Sequence, residues 1–320
     1  MKLSIIVPIF NEEDSIPLLK ERLGTLLKGQ ACDYEVICVN DGSTDKSGAL
    51  IQQWIQENHR ISLIEFSRNF GHQQAITAGL RESKGDCVVI LDADLQDPPE
   101  EIPKMVEKWK EGFKIVFAER VSRKEGVCRR MLFHLFYKIF VFISDLPVVI
   151  NSGVFGLMDR VVVNHLLNME ERNRYIPGLQ GWIGFETATI YYERQERQAG
   201  RPKQTLQRLM KYALNAIFSF SNKPLRVSFF IGFATTVFFS VYGIVLIVMR
   251  ILGMNVVRGF TTPTVAIFFI GGLLLISNGI MGEYIARIYD EVKRRPLYII
   301  AKKTARKEDG RIMTEEIREP

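Results

Sequence analysis

The sequence predicts an α/β domain with a largely parallel sheet, followed by a helical hairpin that crosses a membrane. Two observations point to the sheet. Apolar, β-branched runs alternate with amphipathic patterns from Leu3 to Ala118, and those runs are apolar nearly throughout, as strands covered on both faces are. A third points to the hairpin: most long apolar runs of this 320-residue chain fall after Phe229.

Leu3–Phe10 is an apolar strand and Glu12–Lys28 an amphipathic helix. Tyr34–Asn40 is a second strand, broken by Asp41-Gly-Ser-Thr-Asp, where Ser43 or Thr44 can cap the helix that runs through Trp54. Ile61–Phe66, Asp86–Asp92 and Lys114–Ala118 are further strands. Helices at His72–Glu82 and from Pro98-Pro99-Glu100 to Lys110 separate them. In such sheets ligands bind beyond the carboxyl ends of the strands, so the polar residues that follow each strand are the first candidates.

From Val121 to Leu146 the chain is basic, then aromatic and apolar. Met131–Ile143 is too short to span a bilayer and holds His134 and Lys138. A helix over residues 127–146 is therefore either interfacial or buried in a core. Lys203–Asn222 is a second basic, aromatic, amphipathic stretch. Two runs, near 227–249 and 263–285, meet the requirement of roughly 20 apolar residues for a bilayer core. Lys211, Lys223 and Arg226 precede them, and Lys293, Arg294, Arg295, Lys302 and Lys303 follow. The loop between holds only Arg250 and Arg258. The positive-inside rule then puts both ends of the hairpin in the cytoplasm.

The expected organisation is a cytoplasmic catalytic domain over 1–200, a juxtamembrane amphipathic helix over 201–225, two transmembrane helices over 226–290 and a basic cytoplasmic tail over 291–320. The protein would be a multi-pass protein of the inner (plasma) membrane.

Hydrophobic residues make up 47% of the chain and the formal charge is +6. The basic surplus clusters near the apolar segments, which suits an anionic membrane surface or phosphate ligands. No DNA- or RNA-binding motif is present, so nucleic acid is not expected as a partner. Cys32, Cys38, Cys87 and Cys128 form no CxxC pair and no zinc spacing, and read as reduced thiols. Met1 leads straight into the strand LSIIVPIF, with no basic n-region or cleavage site. The first domain is thus expected to stay in the cytoplasm.

Asp92-Ala93-Asp94 falls at the end of the fourth strand. Side chains at i and i+2 of a strand point the same way, so both carboxylates can face one cleft. Carboxylates suit a hard cation such as Mg²⁺ or Mn²⁺, which can bridge two phosphates and stabilise a departing diphosphate. Pro8-Ile-Phe-Asn11-Glu12 follows the first strand and Asn40-Asp41-Gly-Ser the second. Taken singly, Asn11 and Asp41 suit caps and turns. Three polar clusters at neighbouring strand ends together favour a shared nucleotide pocket.

IIVPIFNEE, VICVNDGSTD, SRNFGHQQAITAG and VVILDADLQDPPE, in this order, resemble family 2 of the inverting glycosyltransferases, which have the GT-A fold. The membrane hairpin and GEYIARIYDEVKRRPLYII narrow the resemblance to the polyisoprenyl-phosphate group. That group includes the bactoprenol glucosyltransferases and is related to dolichol-phosphate mannose synthase. The resemblance implies transfer of a sugar, glucose from UDP-glucose being the commonest case, to a polyprenyl phosphate such as undecaprenyl phosphate. It also implies self-association, up to a tetramer.

By resemblance, Pro8, Asn11, Glu12, Asp41 and Asp92 hold the nucleotide, and Asp92 and Asp94 are the metal pair, with Asp94 the direct ligand. Arg120 and Arg123 match basic positions near the donor and acceptor phosphates, and Arg123 is counted with Asp92 and Asp94 among the catalytic residues. Arg197, Gly200 and Lys203 match an R-x-x-G-x-[ST]-K loop. Arginine suits bidentate phosphate contacts and lysine supplies a mobile point charge.

Two departures stand out. Where close relatives read N-x-G-D-F-R-L-M, this chain has Val154 for the acid and Gly156 for the arginine, and Pro202 replaces the usual Ser or Thr. They motivate an alternative: a catalytically impaired membrane scaffold of the same fold. Transfer of another sugar, such as mannose or an aminosugar, is a second. A processive synthase would carry Q-x-x-R-W, which Gln180-Gly-Trp182 does not fit, and a dinucleotide oxidoreductase would carry GxGxxG where Pro8–Glu12 stands.

Overall fold

The computed structural model describes residues 1–28, 32–120, 152–193, 223–252, 261–307 and 309–316. They belong to two compact units, Met1–Met131 with Leu146–Leu206 and Arg295–Pro320, and Leu132–Asp145 with Gln207–Arg294.

Among the described residues of the first unit, nine strands form one sheet in the order β7-β5-β6-β4-β1-β2-β3-β8-β9. They are β1 (Lys2–Ile9), β2 (Asp33–Asn40), β3 (Ile61–Phe66), β4 (Cys87–Ile90), β5 (Ile115–Arg120), β6 (Ser152–Asp159), β7 (Thr187–Tyr192), β8 (Ile300–Arg306) and β9 (Ile312–Glu316). β1 pairs in parallel with both β2 and β4, β2 with β3, and β5 with β7. β6 runs antiparallel between β4 and β5, and β8 antiparallel to β3.

The two faces of β1 explain its unbroken apolar run. Leu3, Ile5, Val7 and Ile9 pack in one cluster with α1 (Ile16–Lys28), α2 (Ser47–Glu57) and α4 (Ile102–Lys110). Ile6, on the other face, meets α3 (His72–Glu82) so closely that a Cβ on Gly79 would lie 2.4 Å from its Cγ2. α1 buries Ile16, Leu19, Leu23 and Leu27, the stripe that a 3.6-residue period places on one side. α5 (Arg160–Asn168) is capped by the Asp159 carboxylate, which accepts from the Val161 N–H at 2.9 Å. α6 (Ile176–Ile183) follows it.

Several boundaries differ from expectation. The first helix begins at Ile16, not Glu12. α2 begins at Ser47 after Lys46, which makes no side-chain cap, because Ser43 and Thr44 are engaged elsewhere, as described below. β4 ends at Ile90, so Asp92 and Asp94 stand in the turn beyond it.

The largest correction concerns the segment expected to be a basic tail. Residues 300–306 and 312–316 are strands of the nine-stranded sheet: Leu63 pairs with Thr304 and Ile64 with Lys303, and Lys303 Nζ meets Glu82 at 2.7 Å. Thr304 is 5% exposed.

Cys38 and Cys87 are buried and Cys32 half-buried, all as free thiols; burial pushes the first two up to about 12. The expected interfacial and juxtamembrane helices, 127–146 and most of 201–225, lie outside the described residues, as does Cys128.

In the second unit the described residues include α7 (Lys223–Ile251) and α8 (Thr261–Lys293). Among the described residues, two helical stretches are long and apolar enough to cross a membrane: Lys223–Met249, mean hydropathy 2.2, and Phe269–Val292, mean hydropathy 1.4. Ser228 and Ser277 join the two helices through their hydroxyls at 2.8 Å. The 33 residues of α8 span about 50 Å at 1.5 Å per residue, more than the roughly 30 Å of a hydrocarbon core. The ion pair of Glu283 and Arg287, at 2.9 Å, falls in its more polar second half.

If β8 is an integral strand, Thr304→Pro, which deletes a ladder N–H between β3 and β9, lowers the melting temperature of the detergent-solubilised protein by about 5 °C or more. An unchanged melting curve would show that the segment is a dispensable tail.

Candidate active site

β1 lies at the point where strand order reverses, with β2 on one side and β4 on the other, which is where open α/β sheets bind ligands. Pro8 helps to open that place. The carbonyl of Ile6 accepts from Leu91 on the β4 side, and Pro8, two residues on, faces the same way. The β1–β4 ladder has already ended at Ile6–Ile90, so the missing N–H of Pro8 costs nothing there. Pro8 itself is buried.

The exits of β1 and β2 are knit together by reciprocal bonds. The Asn11 N–H donates to Ser43 Oγ at 3.0 Å, and the Thr44 N–H donates to Asn11 Oδ1 at 2.8 Å. The Glu12 N–H donates to Ser47 Oγ at 2.9 Å, the Glu13 N–H to Asp45 at 3.1 Å, and the Lys46 N–H to Glu13 at 3.0 Å. These bonds occupy the hydroxyls expected to cap α2. Asn11 adopts a left-handed φ of 54°, which asparagine tolerates better than most residues. Asn11 and Glu12 thus stay at the cleft edge as members of a fixed seam.

Asp41 extends the seam to the third strand exit. Its two carboxylate oxygens accept the N–H groups of Phe70 and Gly71 at 2.7 and 2.9 Å, just ahead of α3. Burial pushes the Asp41 carboxyl above its ordinary value, against these two bonds and the charges of His72 and Arg68. Gly42 makes the approach possible: at φ +68°, a Cβ there would lie 2.5 Å from the Arg68 carbonyl carbon. Gly71 stands at φ +115°.

The turn so held delivers His72. Its Nε2 lies 2.9 Å from Asp92 Oδ1. The surrounding protein lowers the His72 pKa, but Asp92, Asp41 and Asp94 outweigh it, and the net shift is upward. Asp92 is the bonded partner of His72, and the strand alternation invoked for Asp92 and Asp94 stops at Ile90. Asp94 Oδ1 also accepts the Gln96 N–H at 3.2 Å, and the chain turns at Leu95, buried in a left-handed φ of 56°. Among the described residues no group of three or more His, Cys, Asp and Glu could by itself hold a metal ion. Two carboxylates do fit a Mg²⁺-type ion that takes its other oxygens from substrate phosphates and water.

A buried network flanks the cleft. The Tyr192 hydroxyl donates to Asp97 Oδ1 at 2.5 Å, and Arg120 reaches the Tyr192 hydroxyl at 3.1 Å and Asp97 at 3.5 Å. Asp97 is 2% exposed and Arg120 22%. Burial and Asp97 push the Tyr192 phenol well above its ordinary value, so it stays a donor. Arg120 therefore ties β5 to β7 and to the turn after Asp94, and its Nε and one Nη are committed to that pair rather than free for a phosphate. Arg123, Arg197, Gly200, Pro202 and Lys203 lie outside the described residues.

Val154 and Gly156 lie on β6. The guanidinium of Arg120 comes within 3.2 Å of a Cβ placed on neighbouring Gly153. Gly156 is buried opposite Ile90 and Phe117, and a Cβ there would lie 2.7 Å from the Val116 carbonyl oxygen. The missing arginine thus goes with a close strand contact.

The model of Glycosyl transferase family 2 matches residues 4–167, and the chain belongs to that family. It is similar to an uncharacterized glycosyltransferase of Synechocystis, 41% identical over 94% of this chain and 95% of the other. It resembles uncharacterized glycosyltransferase YkcC of Bacillus subtilis, 38% identical over 93% of each. It also resembles the SfII prophage-derived bactoprenol glucosyl transferase of Shigella flexneri, 40% identical over 94% and 98%. The α/β fold is of the GT-A type.

Two outcomes follow from the seam. His72→Ala, which leaves Asp92 without its ring partner, lowers kcat/KM by about 10- to 100-fold, the usual effect of losing a supporting partner; initial rates against donor concentration measure it. Gly42→Ala, at positive φ and against backbone, lowers the melting temperature and donor affinity together, whereas equal values would show that the turn has room.

Proposed function

We propose that the chain transfers glucose from UDP-glucose to undecaprenyl phosphate, with inversion, at the cytoplasmic face of the inner membrane. One observation carries the reading: hydrogen bonds tie Asn11, Asp41 and, through His72, Asp92 to the strand exits around the reversal point of the sheet, in a chain that also has two helices long enough to span a bilayer. The bactoprenol glucosyl transferase of Shigella, similar along nearly its whole length, supports the acceptor and the sugar.

In this reading Asp94, with Asp92 beside it, would hold Mg²⁺ or Mn²⁺, which supplies charge neutralisation for the diphosphate. His72 fixes Asp92. Asn11, Glu12 and Asp41 shape the nucleotide edge of the cleft. Arg123, Arg197 and Lys203 are proposed for the phosphates, while Arg120 holds the strand exits. An oxygen of the lipid phosphate attacks the anomeric carbon, the bond from that carbon to the diphosphate breaks, and UDP leaves. The acceptor needs little help from a base. A phosphate monoester has its second pKa near about 6, so the attacking oxygen is ionised at neutral pH and needs chiefly to be positioned. Val154 in place of an acid is compatible with that chemistry. Both chain termini in the cytoplasm and a homo-oligomer, up to a tetramer, belong to the same proposal.

Purified protein given radiolabelled UDP-glucose, undecaprenyl phosphate and Mn²⁺ yields lipid-soluble label, and Asp94→Ala abolishes it. No label from the wild type would refute the assignment, and label from Asp94→Ala would refute the role of that carboxylate. The rate rises with pH through about 6, as the acceptor loses its second proton, and then levels off. A further rise well above neutrality would call for an enzyme base.

A further inference from the structure

We propose that Tyr298 is a positioning residue for donor binding: the segment that follows the second membrane helix clamps the turn between β3 and α3. The inference rests on reading the cleft as a nucleotide-sugar site.

Residues 298–300 grip the exit of β3 at three points. The Tyr298 ring stacks on Phe66, with centroids 4.9 Å apart and planes 11° from parallel. The Ile299 carbonyl accepts the Ser67 N–H at 3.0 Å. Ile300 pairs with Phe66, where the β3–β8 register shifts. From there the contact runs inward. Phe66 meets Phe70 edge-to-face at 5.7 Å, and Phe70, Tyr298 and Ile300 pack on the cluster of Ile37, Val39, Ile64, Phe66, Ala75 and Ala78. The Phe70 N–H is the one that donates to Asp41 at 2.7 Å, and His72, two residues on, meets Asp92 at 2.9 Å.

Aromatic pairs are directional, so the orientation of Tyr298 constrains the ring of Phe70 and with it the amide that faces Asp41. A residue that only filled the sheet edge would affect stability and leave the cleft alone. The placement along the chain adds to this. α8 ends at Lys293 and β8 begins at Ile300, so residues 294–299 are all that separates the membrane helix from the sheet.

The test uses the full chain in detergent, with UDP and Mn²⁺ as the binding probe and UDP-glucose with undecaprenyl phosphate for turnover. Tyr298→Ala is expected to weaken UDP binding and raise the donor KM by about tenfold, with kcat within about twofold, the pattern of lost ground-state binding. Tyr298→Phe keeps the ring and is expected to restore both. Thr304→Gly, on the same strand but away from the turn, is expected to lower the melting temperature while keeping the UDP affinity within about twofold. If Tyr298→Ala does not fold, Tyr298→Leu replaces it with the same expectation. UDP affinity at the wild-type level in the Tyr298 variant, or an equal loss in Thr304→Gly, would overturn the clamp while leaving the donor site intact. A wild-type protein that neither binds UDP nor labels lipid would overturn the donor-site reading and the clamp with it.

Discussion

The two hydrogen bonds from Phe70 and Gly71 to the Asp41 carboxylate hold the candidate site together. Bonds of this kind to a charged acceptor contribute roughly 1.5–3 kcal/mol each, and a carboxylate ahead of a helix N-terminus gains further from the helix dipole. Burial works against them and pushes the Asp41 carboxyl upward. The outcome is a turn fixed at one end by β2 and at the other by α3, which brings His72 to Asp92. Those bonds tie the exit of β3 to that of β2 beyond the ladder, which reaches Asn40–Glu65.

The flanking network works by a different balance. Asp97 and Arg120 are largely withdrawn from water and share Tyr192 as a common partner. Buried ion pairs are weak sources of stability, because desolvation offsets their attraction, but removing one partner leaves a costly uncompensated charge. The network therefore specifies geometry more than it stabilises. It fixes the chain just before Val121 and just after Tyr192, where the stretches carrying Arg123 and Arg197 begin.

Much of the architecture is legible in the sequence because its signals are local. Continuous apolar runs mark β1, β2 and β3, the stripe of Ile16, Leu19, Leu23 and Leu27 marks α1, and two long apolar runs mark α7 and α8. The site was legible as polar residues at strand ends. Less legible was what depends on contacts distant in sequence. Ser43 and Thr44 look like helix caps, but Asn11, some thirty residues away, claims them. His72 reads only as the start of a helix; its position at a strand exit beside two others was the available signal. Tyr192 and Tyr298 carry no local mark of their partners, and β8 is masked by Lys302 and Lys303, whose charges look like a solvated tail.

Asp92, held by His72, and Asp94 offer carboxylate oxygens that suit a divalent cation arriving with a diphosphate. The direct measurement is an anomalous-scattering map of the protein with UDP and Mn²⁺. The account predicts a manganese peak within bonding distance of an Asp94 carboxylate oxygen, bridging to the diphosphate between the exits of β1 and β4. A peak elsewhere, or UDP bound away from that cleft, would contradict it.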